Sequence, residues 1–64
     1  MKDHHKLAEA IRTACLEAAL RAYEDAGISG LCEEGRWECA VQAIMGVDLT
    51  TLIQQANGSP DRNT

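Results

Sequence analysis

Phenylalanine is absent, and one tryptophan and one tyrosine supply all the aromatic bulk. An interior built around aromatic rings is thereby excluded, leaving Leu, Ile, Val, Met and many alanines to fill the core. Alanine lets helices approach closely but buries little area. No run approaches the roughly 18–20 apolar residues that a membrane-spanning helix requires, so no membrane is expected as a partner. The six Lys and Arg residues are scattered through a chain of net charge −4, with no basic cluster to follow a phosphate backbone. Nucleic acid is not expected as a partner either. The opening segment MKDHHKLAEA is charged and helix-like, which predicts no secretory leader and a cytoplasmic location.

Three cysteines are an odd number and do not suggest a disulfide framework. They suit free, buried thiols behaving as small hydrophobes. With 64 residues the chain makes one domain, near the lower limit at which an apolar core outweighs chain entropy. Such a chain needs disulfides, a structural metal or association, and association is the simplest remedy here.

The segment DHHKLAEAIRTACLEAALRAYEDA, residues 3–26, holds neither glycine nor proline and is rich in good helix formers. Asp3 is the expected N-cap, and Gly27 stands where a left-handed residue would stop the helix. Leu7, Ile11, Ala14, Ala18 and Ala22 recur at spacings of three and four, with Cys15 at the edge of the stripe. This stripe should face a core. Leu16, Leu20 and Tyr23 recur on nearly the opposite side, so the second half of the helix is expected to be covered twice. The second cover is either the later segments of the same chain or another molecule.

GISG, residues 27–30, reads as a turn, with Ser29 as the expected cap of the next helix and Glu33 and Glu34 in its first turn. Trp37, Ala40, Val41 and Ile44 then fall at i, i+3, i+4 and i+7 and are assigned to the core. Leu31 is off that stripe, so Gly35 is expected to mark a bend or break before a helix over about 36–45. Gly46 ends it. Asp48 can cap a third helix, LTTLIQQA, whose Leu49, Leu52, Ile53 and Ala56 keep helical spacing. The closing NGSPDRNT has turn formers and no large apolar residue. The expected organisation is a single helical domain over 1–56 and a disordered tail over 57–64. No alternating strand pattern occurs, so the fold class is all-α: a helical hairpin with a short third helix, dimerising into a helical bundle.

GRWECA, residues 35–40, resembles the inter-helix turn of a tetratricopeptide repeat. That resemblance implies that Gly35 gives backbone freedom, Trp37 fills the wedge between helices and Ala40 lets them close. The longer run RAYEDAGISGLCEEGRWECAVQAI is similar to a group of short bacterial chains that carry the label acetyltransferase. The label implies acetyl-CoA binding, and no residue here maps onto that chemistry.

Candidate chemistry is sparse. Cys32 and Cys39 are seven residues apart, which on one continuous helix is about 10 Å of rise and too far for a disulfide. A bend at Gly35 would change that, so a metal or redox site using Cys32 and Cys39, with Cys15 as a third member, is the alternative reading. His4 and His5 are neighbours and diverge by about 100° on a helix, which does not suit a shared metal. Glu24, Asp25, Glu33, Glu34 and Glu38 cluster around the turn as a solvated rim able to dock a basic partner surface. A small helical hairpin has little room for a catalytic cleft. The leading expectation is therefore a non-catalytic interaction or regulatory module acting as a homodimer through Leu16, Leu20 and Tyr23, with no cofactor. An acyl-CoA-related protein is the third reading.

Overall fold

The structure is a computed structural model that describes residues 4–56, which form three helices and no strand. Helix α1 spans His4–Ile28, α2 spans Glu33–Met45 and α3 spans Leu49–Ala56. The expected all-α hairpin is what the chain adopts: α2 packs back along α1, and α3 packs on α1 as well. The expected Asp3 cap and the 57–64 tail lie outside the described residues.

The turn differs from the sequence expectation in an instructive way. Helix α1 continues through Gly27, and the left-handed residue is Gly30, at φ +91°. The Leu31 N–H donates to the Ala26 carbonyl at 2.9 Å and the Gly30 N–H to the Gly27 carbonyl at 3.0 Å. This pair of crossed bonds is the Schellman pattern, in which the residue past the cap must take a positive φ. Only glycine adopts it without strain, so Gly30 rather than Gly27 sets the helix end.

Ser29 does not cap α2. Cys32 occupies the N-cap with extended backbone and makes no side-chain capping bond, while Glu33 and Glu34 complement the positive end of the helix dipole. Gly35 produces no break, because α2 runs unbroken across it. Its role is close approach instead. A Cβ at Gly35 would stand 3.1 Å from Leu31 Cδ2 and 3.3 Å from Leu31 Cβ, so the missing side chain is what lets Leu31 fold back over the first turn. At the far end, the Gly46 N–H closes α2 on the Gln42 and Ala43 carbonyls.

Asp48 caps α3 as its position implies, accepting from the Thr51 N–H at 3.1 Å and the Thr51 hydroxyl at 2.7 Å. These bonds stabilise the carboxylate, the Thr51 hydroxyl most of all, and hold the Asp48 carboxyl below its ordinary 3.8. Helix α3 meets the first half of α1, where Leu52, Gln55 and Ala56 share a hollow with Lys6 and Ala10.

The seam between α1 and α2 is made of small side chains. Ala26 and Ala40 are the two described hydrophobic residues that are buried, at 6% and 4% exposure, and no described side chain is fully buried. Leu7, Ile11, Ala14, Cys15, Ala18 and Ala22 of α1 are half-buried, as are Arg36, Cys39 and Ala43 of α2. Three residues assigned to the core are not in it. Trp37 is 65% exposed, Ile44 43% and Val41 37%. The helices close on Ala40 with Arg36 and Ala43 beside it, which turns the Trp37 stripe to the flank of the seam.

Candidate interaction face

Each helix of the hairpin leaves one flank uncovered, and the two flanks meet. On α1, Leu16 and Leu20 are 57% and 55% exposed, and Tyr23, one turn further, is half-buried. On α2, Trp37 leads a stripe that continues through Val41 and Ile44 at spacings of four and three. A shallow groove lined by Leu20, Tyr23, Glu33, Glu34 and Trp37 brings the head of the α2 stripe against the α1 stripe, while Val41 lines a second hollow with Leu31, Gly35 and Glu38. Leu20 and Tyr23, expected on a partner surface, and Trp37, expected in the core, are neighbours in the fold.

The upper end of the groove is held by polar contacts. The Tyr23 hydroxyl donates to Glu33 Oε2 at 2.9 Å, linking α1 to the first turn of α2. Arg36 reaches back from α2, its Nε donating to the Leu31 carbonyl at 3.1 Å and its guanidinium standing 5.8 Å from the Tyr23 ring centroid. The guanidinium also covers Gly27, where a Cβ would lie 3.2 Å from Arg36 Cζ. Sequence reasoning missed Arg36 altogether. Its signal is a cation thirteen residues from an aromatic ring, a separation that no helical period relates.

The remaining candidates are dispersed. Glu24, Asp25, Glu33, Glu34 and Glu38 are all exposed around the turn, two of them at the lip of the groove. Cys32 is exposed at the α2 N-cap, Cys15 and Cys39 are half-buried, and all three thiols are free. Because α2 runs unbroken across Gly35, Cys39 lies about 10 Å of helical rise from Cys32 at the N-cap, beyond disulfide reach. Among the described residues no group of three or more His, Cys, Asp and Glu side chains is placed to hold a metal ion. His4 and His5 are exposed on the first turn of α1. No described helix is long and apolar enough to cross a membrane.

A shallow apolar face with a carboxylate lip suits a flat protein surface. No protein-family model, curated protein or solved structure matches the chain.

Proposed function

We propose that the chain is a small cytoplasmic, non-catalytic interaction module that works as a homodimer, with Leu16, Leu20 and Tyr23 on the intersubunit surface. The observation supporting this is that Leu16 and Leu20 stay more than half exposed on a hairpin whose buried hydrophobic residues, among those described, are two alanines. Burying a leucine contributes about 1.5–3 kcal/mol, so covering this pair in a second molecule adds what the alanine seam lacks. The exposed carboxylates of Glu24, Asp25, Glu33, Glu34 and Glu38 would then meet a partner protein with a basic surface, in an association that weakens as salt rises.

The test is the absolute mass by light scattering on a sizing column, with the reduced, untagged chain, over a wide concentration range. The reading requires twice 6.9 kDa. A folded species of single-chain mass at every concentration overturns it.

A further inference from the structure

The apolar flank of α1 meets that of α2 at Trp37, which shares a groove with Leu20 and Tyr23. We infer that Trp37, Val41 and Ile44 complete the face begun by Leu16, Leu20 and Tyr23, and that its occupant is a second copy of this chain, docked antiparallel to make a four-helix bundle. The inference rests on the homodimer reading above and adds the α2 half of the interface and the orientation.

Three observations select a second copy. The first is area. Leu16, Leu20, Trp37, Val41 and Ile44 expose between 37% and 65% of their surfaces. With side chains of this size the five present roughly 500 Å², and Tyr23 with the stems of Glu33 and Glu34 carries the face toward the ~800 Å² per partner of a stable interface. The second is that no other described segment of the chain is seen to cover this face. Helix α3 lies against Lys6 and Ala10, and Ala10 is about 120° around α1 from Leu16. The segment after Ala56, NGSPDRNT, has no large apolar side chain to offer.

The third observation is charge, which also decides the orientation. The turn half of the hairpin carries Glu17, Glu24, Asp25, Glu33, Glu34 and Glu38 against Arg21 and Arg36. The open half balances Glu9 and Asp48 with Lys6 and Arg12 and adds His4 and His5. Two copies side by side in parallel would stack the acidic turns on each other. Turned end for end, each acidic turn lies beside the charge-balanced end of its neighbour, and the two apolar faces still coincide about a two-fold axis.

Trp37 is the only tryptophan, so its fluorescence reports the α2 half of the face directly. The experiment follows emission and light-scattering mass together as the unmodified chain is diluted, and repeats both with Leu20→Glu. The expected result is emission that shifts to longer wavelength as the mass halves, with Leu20→Glu giving single-chain mass and the long-wavelength emission throughout. A doubled mass with Trp37 emission that ignores dilution overturns the inference and leaves the homodimer reading standing. Single-chain mass at every concentration overturns both. Orientation is read from a nitroxide on the exposed Cys32 in the Cys15→Ala, Cys39→Ala variant, after circular dichroism has shown its helices intact. Antiparallel docking predicts a label separation of about 25 Å or more, from the rise between Cys32 and the middle of the face. A separation of roughly one helix diameter, ~10 Å, overturns the antiparallel arrangement.

Discussion

The Tyr23 hydroxyl donates a 2.9 Å hydrogen bond to Glu33 Oε2, joining the last turns of α1 to the first turn of α2 across the tight turn between them. The same ring carries the Arg36 guanidinium at 5.8 Å, and Arg36 is tied in turn to the Leu31 carbonyl. One aromatic residue thereby organises the end of the hairpin while its flank lines the apolar groove.

Removing the two polar contacts should have unequal effects. Tyr23→Phe keeps the ring and loses one exposed hydrogen bond, so it is expected to cost about 1 kcal/mol or less. Arg36→Ala loses the carbonyl contact, the ring contact and the half-buried aliphatic stem together, and is expected to cost more. Thermal unfolding followed by circular dichroism separates them, since ~1 kcal/mol moves the midpoint by roughly 4–8 °C in a domain this small. A Tyr23→Phe effect larger than that of Arg36→Ala would contradict the account.

The glycines of the turn make a second ordering. Gly30→Ala meets nothing within 4 Å, yet it is expected to destabilise by about 1–2 kcal/mol because φ +91° is strained for any L side chain. Gly35→Ala gains helix propensity of ~1 kcal/mol and crowds Leu31, which is 37% exposed and able to yield. Gly35→Ala is therefore expected to be the milder substitution. Urea titration of the two variants gives the comparison, and the reverse order would show that Leu31 is held more firmly than its exposure implies.

Truncating Trp37 distinguishes a core residue from a surface one. A buried tryptophan cut to alanine costs about 3–5 kcal/mol. At 65% exposure Trp37 is expected to cost the single chain well under that, with the main loss in self-association. Sedimentation across concentration together with denaturation at low concentration measures the two effects apart. Unfolding of the dilute variant would place Trp37 in the core after all.

Acid should weaken α3 through its cap. The Asp48 carboxyl is held below its ordinary 3.8 by Thr51, so the capping contribution is complete above that value and is lost as pH falls through the lowered one. Helix content is expected to drop below about pH 4 on this account. Asp48→Asn, which caps without titrating, is expected to hold the neutral-pH helix content and to lose this acid dependence. Circular dichroism from pH 7 down to pH 2 on both proteins checks it.

Much of the local structure was readable residue by residue. The unbroken run of helix formers before Gly27, the stop at Gly46 and the Asp48 cap each follow from bonds within one turn of the chain, where sequence neighbours are the only partners that matter. Gly27, Gly30 and Gly35 could be marked as special without being told apart. The roles of Gly27 and Gly35 depend on Arg36 lying over α1 and on Leu31 folding back over α2, contacts that no local period encodes.

The apolar stripes show the same division. Helical spacing identified Leu16–Leu20–Tyr23 and Trp37–Val41–Ile44 as two coherent faces, and that much the amino-acid sequence determined alone. Which faces are covered was decided by tertiary packing. In a single layer of helices each one has one flank against its neighbour, and the small residues Ala26 and Ala40 took that seam because they permit the closest approach of the two backbones. Periodicity tells a helix which of its sides are apolar, whereas only the placement of a neighbour decides which of those sides water still reaches.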